Sequence, residues 1–199
     1  MKIWILAIFI LLLNSSCQSI LKKMYGVKDP EIENESTIIK TAIKYQLDTA
    51  NIVTLNSKYF AKELNGRAIP NAAIYDNEGN YIEYRAADTS CNAGLFDFIP
   101  NLSIGSNYNK PDSAKLDAEL KKFLDLKGNS LKNPEAADFY VLIYWAVWTG
   151  KLNKDHVKIW EDAAKNNKNA KVKVIKVNMD FQEHWDEKIR KEILGKSKK

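Results

Sequence analysis

The chain has 199 residues, with 30 Lys and Arg against 25 Asp and Glu, a net charge of +5. A chain of this length can bury roughly 70% of its unfolded surface, which excludes a small scaffold that depends on disulfide or metal staples. Six of its basic residues (Lys188, Arg190, Lys191, Lys196, Lys198 and Lys199) crowd the C-terminus. They are read as a solvated end, not as a nucleic-acid surface.

Residues 3–13 are an unbroken apolar run of 11 residues after Lys2. A membrane span needs about 20, so the run has the length of a signal-peptide core. It ends at Asn14-Ser15-Ser16, small polar residues that suit a peptidase, and Cys17 follows at once. Residues 17–35 are polar and charged, broken at Asp29-Pro30, and read as a tether. The folded part is expected over residues 36–199, as one domain with an N-terminal half (36–105) and a C-terminal half (112–199).

In the N-terminal half, Ile38, Ile39, Ala42, Ile43 and Leu47 recur at helical spacing after Ser36. Residues 51–55 read as a short strand, and residues 57–64 as a short helix ended by Asn65-Gly66. Residues 71–75 and 81–85 flank Asp76-Asn77-Glu78-Gly79-Asn80, the clearest hairpin signal in the chain. A short helix is expected over 95–99, then a linker through Pro100, Gly105 and Pro111.

In the C-terminal half, Asp112 is placed to cap a helix over 113–126, with Leu116, Leu120, Phe123 and Leu124 on one face. Residues 139–145 are continuously apolar and β-prone, as in a strand buried on both faces. A helix starting near Asn153 or Asp155 turns Val157, Trp160, Ala163 and Ala164 inward. Residues 172–177 form the next strand. Phe181, Trp185, Ile189 and Ile193, four apart, suggest a last helix over 181–194.

The junction Leu13-Asn14-Ser15-Ser16-Cys17 resembles the lipobox of bacterial lipoproteins. It matches at the small residues and the cysteine, and departs at Asn14, where the family carries an aliphatic residue. The resemblance implies cleavage after residue 16 and a lipid (palmitate-bearing) anchor on Cys17. Gln18, where an inner-membrane signal usually has Asp, leans toward the outer membrane. Acylated Cys17 would leave Cys91 without an intrachain disulfide partner.

Residues 138–180 resemble the thioredoxin fold. Val141-Leu142-Ile143-Tyr144-Trp145-Ala146-Val147-Trp148 supplies a buried strand and the Trp-Ala-x-Trp signature, and Val174-Ile175-Lys176-Val177-Asn178-Met179-Asp180 the following strand with its acidic end. Thr149-Gly150-Lys151-Leu152 stands where Cys-Gly-Pro-Cys belongs. Thiol–disulfide exchange needs an attacking thiolate and a resolving thiol, and this loop has neither. In the family a proline-led strand and a hairpin follow the second strand. Here Ile69-Pro70 and residues 71–85 look like that piece placed before the signature. The expected fold is therefore an α/β, thioredoxin-like three-layer sandwich with rearranged, permutation-like strand order. An ordinary α/β sandwich with an unrelated hairpin is the alternative, and a strand 71–75 beyond bonding reach of strand 139–145 would exclude the rearranged version.

No catalytic residue, cofactor or metal site is assigned. His156 and His184 lie on separate segments without flanking cysteines, which suits surface or capping roles. Cys91, in Asp88-Thr89-Ser90-Cys91-Asn92, reads as a small half-buried residue or as a lone reactive thiol. Trp148, Thr149, Gly150 and Lys151 occupy the place where thioredoxin-like proteins grip extended peptides, and an amphipathic aromatic such as Trp148 suits that task. The functional expectation is a non-catalytic binding or accessory lipoprotein of the cell envelope. It would contact the membrane through its anchor and an envelope protein or peptide through its domain. The alternative is an enzyme, redox-active through Cys91 or hydrolytic.

Overall fold

A computed structural model describes residues 22–85, 92–113 and 115–197. The leader (residues 1–16), Cys17 and Cys91 lie outside the described residues. The chain is a mixed α/β fold around a six-stranded mixed sheet.

In chain order the elements are β1 (Ile32–Glu33), α1 (Glu35–Lys44), β2 (Ile52–Leu55), α2 (Ser57–Asn65), β3 (Asn71–Asp76), β4 (Tyr81–Ile82) and α3 (Leu95–Phe98). Then come α4 (Leu116–Leu120), β5 (Phe123–Leu124), β6 (Phe139–Trp145), α5 (Ile159–Lys165), β7 (Val172–Asn178), β8 (Phe181–Gln182) and α6 (Glu187–Ser197). The sheet order is β4-β3-β6-β7-β2-β5, with β1 and β8 paired apart. β6 is parallel to β7 along its whole length, and β7 is parallel to β2. β3 runs antiparallel to β6, from Asn71 beside Tyr144 to Asp76 beside Phe139. The peptide bond between Ile69 and Pro70, just before β3, is cis.

β6 shows why a continuous apolar run was needed. All seven of its residues are buried. Phe139, Val141, Ile143 and Trp145 pack on one face, with Ile38 and Ala42 of α1 and Trp160 of α5. Tyr140, Leu142 and Tyr144 pack on the other, with Phe60 of α2, Phe181 and Trp185. The alternation follows from side chains pointing to opposite faces of a strand. Each such side chain stabilises the fold by about 1.5–3 kcal/mol.

α1 starts one residue before its expected Ser36. Asn34 accepts the Thr37 amide at 3.1 Å, and Thr37 Oγ1 accepts the Asn34 amide at 2.9 Å, a reciprocal cap.

Two predicted helices are corrected. Residues 113–126 form only the five-residue α4, because Phe123-Leu124 leaves the helix to pair antiparallel with Leu55 and Thr54 at the sheet edge. Phe181 is not on a helix either: Phe181–Gln182 is β8, paired in parallel with Ile32–Glu33, and α6 begins at Glu187. Trp185, in the turn between them, donates its indole N–H to the Leu55 carbonyl at 3.1 Å. Burial of both rings against Phe60 produces the four-residue spacing without a helix. The return strand of the hairpin is also shorter than expected, two residues instead of five.

One ion pair sits wholly inside the fold. Lys176 of β7 and Glu161 of α5 are each 1% exposed and 2.7 Å apart. Lys176 Nζ also donates to the Ala50 carbonyl at 2.9 Å, and Glu161 Oε2 accepts the Asp48 amide at 3.0 Å. The pair thus ties α5 and β7 to the turn between α1 and β2.

Candidate functional site

The C-terminal ends of the parallel strands β6 and β7 meet at one edge of the molecule. This is where an open α/β sheet places its loops for binding. β6 ends at Trp145, which is fully buried, and a 3-10 turn over Val147–Thr149 follows. The four residues assigned from the sequence as a peptide-binding loop are adjacent here but differ in exposure. Trp148 is half-buried against the core, Thr149 and Gly150 are buried, and Lys151 is exposed.

Thr149 Oγ1 lies 2.7 Å from the Ala146 carbonyl and 2.9 Å from Asn153 Oδ1, and donates its one proton between these acceptors. Asn153 Nδ2 donates to the same Ala146 carbonyl at 2.8 Å. Neither partner is a base, so the hydroxyl is held as a structural clasp and is not activated for attack.

The loop carries an occupant. Residues 25–28, which the sequence placed in the tether, lie across it as a strap. The Lys28 amide donates to the Trp148 carbonyl at 2.9 Å, and the Lys151 amide donates to the Tyr25 carbonyl at 2.7 Å. Gly150 makes this approach possible. Its φ is +61° and its ψ −131°, a region closed to side-chain-bearing residues. A Cβ there would collide with the Tyr25 carbonyl oxygen and stand 2.5 Å from that of Gly26.

Beneath the loop lies a buried polar group that sequence reasoning treated only as the acidic end of β7. Asp180 Oδ2 accepts the Val147 amide at 2.8 Å and the Asn178 side-chain amide at 2.6 Å. Gln182 Nε2 donates to Asn178 Oδ1 and to the Asp180 carbonyl, both at 2.8 Å. Asp180 Oδ1 and Gln182 Oε1 are buried without a partner among the described residues. Burial pushes the Asp180 carboxyl up to about 7, against the pull of the Val147 amide and Asn178, and the Glu33 carboxylate pushes it the same way. A proton there would turn an unpartnered acceptor into a donor.

The unfolded chain ionises near pH 4, below the folded value, so the folded state holds more protons between the two. Asp180 therefore lowers stability as pH rises from about 4 to about 7, with a slope of up to about 1.4 kcal/mol per pH unit. Asp180→Asn keeps the shape and removes the titration. Urea unfolding from pH 4 to pH 8 is expected to show the variant gaining on the wild type across this window. A constant difference would mean that Asp180 is ionised throughout.

The histidines are separate from this edge chemistry. His156 packs against Phe96 (tilted) and Trp160 (edge-on), each ring centroid 5.5 Å away. His184 packs on Gly128, and burial lowers its pKa against the pull of Asp125. Among the described residues no group of three or more His, Cys, Asp or Glu is placed to hold a metal ion. No described helix is long and apolar enough to cross a membrane. The chain matches no protein-family model, no curated protein and no solved structure.

Proposed function

We propose that this chain is a lipid-anchored envelope protein whose thioredoxin-like sheet serves as a binding platform without thiol chemistry. The strap carries the reading. Residues 25–28, the turn that ends a short helical segment at Tyr25, lie on the loop through two main-chain hydrogen bonds of 2.9 and 2.7 Å. Main-chain recognition of this kind does not depend on the occupant's side-chain identity. A partner segment would take the same two groups, the Trp148 carbonyl and the Lys151 amide, by displacing the strap.

The sheet order supports the thioredoxin-like part. A proline-led strand, β3, runs antiparallel to the Trp-ended strand β6, and β6 runs parallel to β7. β4 stands outside β3 as the hairpin's return. This order is compatible with the resemblance, with the hairpin placed ahead of the signature. The anchor rests on the leader and Cys17, and the outer membrane on Gln18.

The test is crosslinking in cells of a tagged full chain, mild detergent extraction and mass spectrometry, beside Cys17→Ala, Trp148→Ala and Cys91→Ser. Wild type is expected to take up labelled palmitate and to bring down a specific protein. Cys17→Ala should lose the palmitate, Trp148→Ala should lose the partner about tenfold, and Cys91→Ser should change neither. A partner retained by Trp148→Ala would mean that the indole adds nothing to the main-chain contacts. Dependence on Cys91 would favour the redox alternative.

A further inference from the structure

A cavity of about 610 Å³ opens between the strap, the C-terminal end of α1 and the start of the helical stretch that leads into α5. Its lining holds four lysines from three separate pieces of chain: Lys28 of the strap, Lys44 of α1, and Lys151 and Lys154 beyond the loop. One acid, Asp155, shares it, and Tyr25 and Tyr45 also line it. The four ammonium groups have no ion-pair partner among the described residues. Nearby lysines behave differently: Lys158 pairs with Asp162, and Lys165 with Asp48 and Glu161. Lys44 has a local reason to stand where it does, at a helix C-terminus and 5.2 Å from the Tyr45 ring. That reason does not extend to the other three, which the fold brings to the same cavity from separate pieces of chain.

We infer that this cavity binds a phosphate-bearing molecule. A phosphate carries close to two negative charges and three strong acceptor oxygens, so several ammonium groups can share it. One carboxylate would leave most of them unmatched. The volume falls in the range of small-molecule sites, about 300–1,000 Å³, and greatly exceeds a bare phosphate. The ligand therefore has an organic part beyond its phosphate, against the two tyrosines. A phospholipid headgroup and a soluble phosphate ester share this chemistry. The inference stands on the lysines and does not require the loop to bind peptide.

The test is calorimetric titration of the full chain in nonionic detergent at low salt. The probes are glycerol phosphate, a short-chain phosphatidylglycerol below its micelle concentration, free glycerol and hexaglutamate. The triple variant K44Q/K151Q/K154Q is compared with K40Q/K62Q/K168Q, three exposed lysines outside the cavity, and with K44R/K151R/K154R. At least one phosphate probe is expected to bind, and glycerol not to. The cavity glutamines should weaken binding about tenfold or more, while the arginines, which keep the charge, preserve it. The distant glutamines should change it less than about twofold. Binding of the lipid probe alone identifies a headgroup, and binding of glycerol phosphate alone identifies a soluble ester. The inference is overturned if neither phosphate probe binds, if both glutamine variants lose binding equally, if the arginine variant loses it, or if hexaglutamate binds more tightly.

Discussion

Glu161→Ala is expected to lower the melting temperature on the order of 10 °C, the largest single loss available outside the aromatic core. The substitution leaves Lys176, 1% exposed, with the Ala50 carbonyl as its remaining bond. Breaking a buried pair from one side costs about 3–5 kcal/mol, because the surviving charge stays desolvated. It also frees the Asp48 amide that Glu161 holds, so the turn between α1 and β2 loosens. Burial already pulls the Lys176 ammonium below its ordinary value against the pull of Glu161, and without Glu161 it falls further. A lysine with a lowered folded pKa binds fewer protons than the unfolded chain, so stability rises with pH. The deficit of Glu161→Ala should accordingly shrink between pH 7 and pH 10. The double replacement Glu161→Met with Lys176→Met removes both charges and should recover most of the loss. Thermal unfolding at several pH values checks all of this. A single variant within about 2 °C of wild type would mean that water reaches Lys176.

Gly150→Val is the second large effect, and it falls on the strap. The positive φ alone costs a β-branched residue on the order of 1–3 kcal/mol. The new side chain also meets main-chain oxygens of Tyr25 and Gly26, which cannot rotate away as a side chain tip would. The strap must lift, and its two hydrogen bonds with it. Hydrogen exchange at the Lys28 and Lys151 amides should quicken by at least about tenfold, while exchange in β6 changes far less. Protection at both amides equal to the wild type would show that the loop, not the strap, yields. Under the binding reading the same variant should expose the Trp148 carbonyl and the Lys151 amide.

Much of the sheet was legible because it is written in burial. A seven-residue apolar run has one stable place, inside a sheet, and 139–145 lies there. The hairpin signal around Gly79 was equally local, and its φ of +76° is the one the turn demanded. What misled were apolar residues whose partners are distant. Phe181 and Trp185 share a spacing with a helix but are held by Phe60 and Leu55, far away in sequence. Phe123 and Leu124 continue a helical pattern, yet the open edge of β2 claims their main chain.

The edge was harder to read. The Trp-Ala-x-Trp stretch and Asp180 belong to one resemblance in the sequence, but the contact between them, through the Val147 amide, comes from the fold. Asn178 and Gln182 carried no motif, and their roles come from burial. The strap left no trace in the sequence, since main-chain hydrogen bonds do not depend on side-chain identity. Nor did the lysine cavity: positions 28, 44, 151 and 154 share no spacing, and only the chain's path brings them together.

The strap also sets a length. If Cys17 carries the proposed anchor, docking at Tyr25 leaves residues 17–24 between anchor and body, and because residues 22–24 are helical their reach falls short of the about 28 Å of a fully extended chain. The β1–β8 pairing holds the next few residues down as well. Release of both, back to the start of α1, would lengthen that leash to at most about 60 Å. Under the proposed anchoring the body would stand at two heights above the bilayer, and the taller one needs both the strap and the β1–β8 pairing to let go.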